Sequence, residues 1–185
     1  NLEIFNEAMG ESIISLNRGC RLVGRDLHEK LLCSINPYLP RISGDEMAVA
    51  DLIETSSREG TIEHDTLLSL LVMRISLFVP PRTLNSLYGE RYSLDRELIS
   101  DAHTFTAVID ACGKCGKGGL AASLCMRSPE GTSEAWDAAQ GHRWRVLQNL
   151  SALSGGDEMQ HFYEVEDASV ASDVADVLAR NIIQD

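Results

Sequence analysis

Three clusters of cations and one pair of cysteines are the residues in this chain whose types and spacing can do chemistry. Arg18, Arg21 and Arg25 lie three and four residues apart. Each guanidinium presents a planar fork of donors that matches a phosphate, and Arg21 and Arg25 are close enough to act together; balanced by Glu11, Asp26 and Glu29, the same three also read as solvated surface charge. Lys114 and Lys117 stand in Gly113-Lys-Cys-Gly-Lys-Gly-Gly119, where exposed backbone amides ahead of a following helix can hold an anion. The stretch lacks the glycine gap and the terminal Gly-Lys-Ser/Thr of a P-loop, and a helix-stopping turn with solvated lysines is its other reading. His142, Arg143 and Arg145 flank Trp144, a basic-aromatic group able to stack a base and pair with phosphate, or else to pack and shield one face of a long helix.

Cys112-Gly-Lys-Cys115 is half of a zinc site by spacing, but no second CxxC or HxxxH completes four ligands. A redox CxxC opens a helix and this one ends one. No metal ligand set and no catalytic residue is assigned, since no Ser/His/Asp or Cys/His arrangement follows from the spacing.

The elements that must position these residues read as an α+β fold, predominantly helical, with a short N-terminal β-hairpin and one late strand packed on helices. A helix over residues 2–9 leads to the hairpin, Ile13–Leu16 and Arg21–Val23 around an Asn17-Arg18-Gly19 turn. Leu27–Cys33 is a helix ended by Asn36-Pro37, followed by an extended Pro37–Arg41 connector. Ser43 and Glu46 form a capping box for a helix whose apolar stripe is Met47, Ala50, Leu52 and Ile53. Asp65 caps the next, Thr66–Leu77, apolar nearly all round and hence deeply buried. Tyr88-Gly89 marks a turn. Leu98, Ala102, Phe105, Val108, Ile109 and Cys112 recur at steps of three and four, a helix ended by Gly113 and Gly116. Leu120–Met126 is a short helix or strand. A long helix opens at Ser133-Glu134 with Trp136, Ala139, Val146, Leu147, Leu150 and Leu153 on one face, ending at Gly155-Gly156. His161–Val165 is the late strand, and Asp167 or Ser169 caps a last helix burying Val170, Val174, Leu178 and Ile182. The division expected is 1–90, a helical linking region with the hairpin, and 91–185, the helix-rich start of a C-terminal domain.

Bulk properties narrow the function classes. With 44% hydrophobic and 24% charged residues in 185, the chain has the composition of a globular protein. The apolar run Leu67–Val79 is interrupted by Ser69, Arg74 and Ser76 and is too short to span a bilayer, so no membrane partner is expected. The start is acidic and amphipathic, unlike a secretory signal, and the five cysteines are an odd number; both suit a cytoplasmic protein. A net charge of −12 excludes a generic nucleic-acid-coating surface, which works by phosphate neutralisation and counterion release. The acid gathers late: from Asp157 to Asp185 eight carboxylates face Arg180 alone.

Two blocks carry a resemblance. Residues 92–117, Tyr-Ser-Leu-Asp-Arg-Glu-Leu-Ile-Ser-Asp-Ala-His-Thr-Phe-Thr-Ala-Val-Ile-Asp-Ala-Cys-Gly-Lys-Cys-Gly-Lys, resemble a segment that follows the catalytic domain in archaeal RecJ-like exonucleases of the DHH phosphoesterase superfamily. Upstream, Cys33-Ser-Ile-Asn-Pro-Tyr-Leu-Pro-Arg-Ile-Ser-Gly-Asp-Glu46 resembles a second segment of the same family, in the correct order. The DxD run, the Asp-His-His triplet and the glycine-rich GGGH-type loop of that family are absent from the sequence. The resemblance therefore implies an internal, non-catalytic piece of a metal-dependent single-strand exonuclease of 5′-3′ or 3′-5′ polarity. It needs no cofactor of its own, with Mn or Mg held in the parent's catalytic domain, and contributes to the substrate path of single-stranded nucleic acid. The family's kinship with a eukaryotic helicase-activating factor, and the association of some members with the GINS replication complex, imply an alternative: a module holding a GINS-like replication protein with no role in substrate handling. A helical regulator unrelated to either is the third reading.

Overall fold

The computed structural model describes residues 2–58, 60–153, 164–165 and 167–182. Predominantly helical α+β structure is found, and the chain gathers into two compact units, each made of two segments: residues 1–21 with 88–140, and residues 22–87 with 141–185. This grouping crosses the division expected at residue 90. Among the described residues no helix is long and apolar enough to cross a membrane.

In the first unit, α1 (Leu2–Gly10) leads into strand β1 (Ile14–Cys20), whose partner is β4 (Tyr88–Leu94). The pairing is antiparallel, with Leu16 opposite Tyr92, Asn17 opposite Arg91, Arg18 opposite Glu90 and Gly19 opposite Gly89. The N-terminal hairpin is thereby corrected. Asn17-Arg18-Gly19 is the middle of one continuous strand, and Tyr88-Gly89 opens its partner instead of turning. Because side chains alternate across a strand, Leu16 and Tyr92 share a face with Arg18 and Glu90. Phe5 of α1 packs edge-on against Tyr92 there, ring centroids 5.5 Å apart. The opposite face carries Ser15, Asn17, Gly19, Gly89, Arg91 and Ser93.

Helix α6 (Ala102–Lys114) starts at Asp101, whose carboxylate accepts from the Thr104 amide at 2.8 Å. It ends as the sequence requires: Gly116 takes φ +70°, its N–H donates to Gly113 O at 3.0 Å, and Lys117 N–H donates to Cys112 O at 2.8 Å. These are the two bonds of a Schellman motif. After α7 (Gly118–Cys125), the long α8 (Thr132–Leu153) contributes its residues through Gln140 to this unit. Val108, Ala111 and Cys112 of α6 pack with Leu124, Ala135, Ala138 and Ala139. The alanines let the helices approach closely, and each buried Val or Leu contributes about 1.5–3 kcal/mol.

The second unit runs through α2 (Leu27–Leu32), α3 (Glu46–Ser56), the two-residue strands β2 (Ser57–Arg58) and β3 (Thr61–Ile62), α4 (His64–Ile75) and α5 (Pro81–Leu87), then the rest of α8 and α9 (Ala171–Val177). Leu31, Leu39, Ile42, Val49, Leu52, Leu71 and Ile75 are fully buried. A second cluster joins Val146, Leu147 and Leu150 to Val170, Val174, Val177 and Leu178.

Several local expectations change here. Asp45 caps α3, accepting from the Ala48 amide at 3.0 Å. Ser43 instead turns its oxygen to the Leu39 amide at 3.3 Å. Pro37–Arg41 is a folded turn, with Ile35 bridged to Tyr38. Val49, Leu52 and Ser56 form the buried face of α3, leaving Met47 81% exposed. Glu63 precedes α4 in the capping position, and Asp65, Ser69 and Met73 are exposed opposite buried Leu67, Leu71 and Ile75, so α4 is amphipathic; it ends before Leu77, which is also exposed. The strand expected over His161–Val165 and the Gly155-Gly156 helix end lie outside the described residues, apart from Glu164 and Val165, which have no regular structure.

Candidate nucleic-acid interface

Most of the cations singled out by sequence are already engaged. Arg143 is 5% exposed; its guanidinium donates to Val23 O at 2.5 Å and to Glu29 Oε1 at 2.5 Å. It belongs to the interior, because a buried carboxylate such as Glu29 needs a paired cation, and it is not placed to meet an external phosphate. Arg25 donates to the other oxygen of Glu29 at 2.7 Å. Burial pushes the neighbouring Cys33 thiol up, and Arg143 opposes that rise while Glu29 adds to it. Arg145 donates to Asp167 at 3.1 Å and to Ser169 Oγ at 3.3 Å, closing the turn ahead of α9. Lys114 pairs with Asp110 one helical turn back at 2.7 Å. Lys117 is exposed and has no ion-pair partner among the described residues.

Arg18 is exposed and sits opposite Glu90 on the apolar face of the β1–β4 sheet. Arg21 is different. Its Nε donates to Glu90 O at 3.0 Å, and its guanidinium lies flat over Gly89: a Cβ there would stand 2.6 Å from Arg21 Nη2. Directly across the ladder, a Cβ on Gly19 would stand 3.4 Å from Arg91 Cδ and 3.5 Å from Nη1. Two glycines placed opposite each other thus give a floor without side chains on which two guanidiniums rest. Directly opposed residues bring their Cβ positions to about 4.5–5.5 Å, so the two cations are neighbours.

The two arginines differ in what holds them. Arg91 donates to Asp101 Oδ2 from Nε at 3.0 Å and from Nη2 at 2.6 Å. Burial works against ionisation of Asp101, but hydrogen bonds from Arg91 and Thr104 overcome it and hold the carboxyl below its ordinary value. Asp101 therefore balances Arg91, whereas Arg21, half-buried, has no ion-pair partner and no hydrogen bond from its terminal nitrogens among the described residues. Arg91 was missed from the sequence, where it reads as one charge among alternating residues; Tyr88-Gly-Glu-Arg-Tyr92, an aromatic at each end of a five-residue run, was the strand signal that would have placed it on the face of Arg21.

The cysteine pair is a packing feature. Cys112 is buried, with burial raising its thiol above the ordinary value, and Cys112 and Cys115 point toward Ala135 O and Ala138 O of α8, each at 3.9 Å. His142 is buried, with Nε2 2.7 Å from Asp173 of α9. Among the described residues no three His, Cys, Asp or Glu side chains are placed to hold a metal ion. No protein-family model matches the chain, and no curated protein matches it.

Proposed function

We propose that this chain is the non-catalytic region of a RecJ-like, metal-dependent single-strand exonuclease and that it guides the strand across the polar face of the β1–β4 sheet. The observation that carries the reading is the guanidinium of Arg21, laid on Gly89 beside Arg91 with no partner on its terminal nitrogens among the described residues: a cation with donors to spare for a phosphate. The parent's catalytic domain supplies Mn or Mg and the cleavage chemistry. A labelled single strand titrated with the chain while salt is varied, followed by fluorescence anisotropy, tests it. Binding in the range of about 10⁻⁴–10⁻⁶ M typical of non-specific contacts, weakened by Arg21→Ala and by Arg91→Ala but unchanged by Arg25→Ala, is the expected result. In the same samples manganese leaves the strand intact. Binding indifferent to both sheet arginines overturns the reading.

A second reading, a module that holds a GINS-like replication protein, is favoured by a different observation. Helices α3 and α4 pack so that Arg74 donates to Ala48 O at 3.4 Å, and at this end Met47 and Leu77 are 81% and 85% exposed while Arg41 stacks 4.1 Å over the Phe78 ring. Calorimetric binding of a purified GINS-like protein that Met47→Asp and Leu77→Asp abolish, with no strand binding at all, is the outcome that selects it.

A further inference from the structure

We propose that the cleft beside Trp144, in the second unit, is a site for a nucleobase; the proposal deepens the nucleic-acid reading above and rests on it. The cleft measures about 380 Å³, within the roughly 300–1,000 Å³ usual for small-molecule sites. Trp144 sits on its edge, exposed although Val146, Leu147 and Leu150 on the same helix are buried. Among the described residues its ring has no aromatic partner and its indole N–H no acceptor. A large π surface left open at a cleft is the feature on which bases stack.

The rest of the lining supplies an edge reader. Gln148, one turn along α8 from Trp144, and Ser151, two turns along, both face the cleft, are exposed, and make no side-chain hydrogen bond among the described residues. A primary amide offers a donor and an acceptor side by side, the pattern that pairs with a base edge. Ser43 uses its oxygen to accept from the Leu39 amide and so keeps its O–H for a ligand. Gly44, with φ +84°, admits backbone without a side chain. Nothing on the lining is charged, so the ligand is recognised by its plane and its neutral edge; the phosphate belongs elsewhere. A proline-rich peptide is disfavoured, because such ligands dock into grooves between exposed aromatic ridges, and here the second aromatic, Tyr38, is packed against the Val146–Val174 cluster.

The experiment uses the full chain in a Trp136→Phe background, so that Trp144 is the sole indole reporter. Free adenosine, which has no phosphate, is the probe for the cleft; an abasic sugar-phosphate strand and a base-bearing strand of equal length separate it from the sheet. The expected result is saturable quenching by adenosine, lost in Gln148→Leu, with Trp144→Ala lowering affinity for the base-bearing strand about tenfold and leaving the abasic strand unchanged. Circular dichroism confirms that the variants are folded. Strand binding that depends on Arg21 without any adenosine quenching overturns the cleft and leaves the sheet reading standing. Adenosine quenching together with base-bearing-strand binding that Trp144→Ala weakens and Arg21→Ala leaves unchanged supports the cleft and removes the sheet. Quenching by a proline-rich peptide and not by adenosine overturns the proposal in favour of a peptide site.

Discussion

The two units use arginine in opposite ways. In the helical unit Arg143 is turned inward against Glu29 and a backbone carbonyl, and Arg25 closes the other oxygen of the same carboxylate. In the sheet unit Arg91, beside Gly19, is tied to Asp101, whereas Arg21 lies over Gly89 with the Glu90 carbonyl as its one hydrogen-bond partner among the described residues. Desolvation separates the two cases: a guanidinium taken out of water must have its partners built in, whereas one left at the surface keeps donors for something else. Counting cations along the sequence cannot distinguish them, since both kinds stand among acids.

Removing the inward arginine is the most damaging change expected. Arg143→Met leaves Glu29 with only Arg25 and Val23 O without its donor; about 3–5 kcal/mol of stability is expected to be lost, read as a fall in the urea midpoint. Adding Glu29→Leu to it restores a substantial part, because an apolar pair avoids the stranded charge. A midpoint unmoved by Arg143→Met breaks the comparison.

Glycines sharpen it at the next level. A Cβ on Gly24 would stand 2.8 Å from the backbone nitrogen of Lys30, which cannot swing away, so Gly24→Ala is expected to cost about 1–3 kcal/mol. Next in size, Asp101→Asn keeps a good helix cap but removes the charge facing Arg91, a loss of about 1 kcal/mol near neutral pH. Since the folded-state pKa of Asp101 is lowered, its contribution is complete above the unfolded value near 4 and disappears as pH falls through the lower folded value. Unfolding curves of the two proteins taken at decreasing pH should therefore converge in acid and not in alkali. The smallest stability effect belongs to Gly89→Ala, within about 1 kcal/mol of neutral, because the clash at 2.6 Å is with the far end of Arg21. That change should nevertheless displace the guanidinium and match Arg21→Ala in strand binding, each lowering the salt slope by about one.

What the sequence disclosed follows from the range of each interaction. The ends of α6 were readable because a cap and a Schellman glycine act within a few residues. The apolar stripe of α8 was readable from its period, though the same helix concealed that Arg143 points into the core. The β1–β4 pair was not readable, because turn-forming composition at Asn17-Arg18-Gly19 outweighs a partner far along the chain in any local reading. Arginines from elsewhere lie over the glycines there, a neighbourhood with no local trace. With the sheet misplaced, Arg91 went unnoticed and Arg25 was grouped with residues of another unit. Of the first cluster, Arg21 is the member that lies over the paired glycines beside Arg91.

The pairing of β1 with β4 also sets an order of events on the ribosome. The bond from Arg21 to Glu90 spans 69 residues and the contact of Asn17 with Ser93 spans 76. At about 5–20 residues per second, β1 therefore waits roughly 4–15 s for its partner to be synthesised, with two open edges in the meantime. A waiting strand is a template for other nascent chains. Arginine and glycine at its centre, the residues that disguised it as a turn, are poor partners for such misassembly and keep it available until Tyr88–Leu94 emerges.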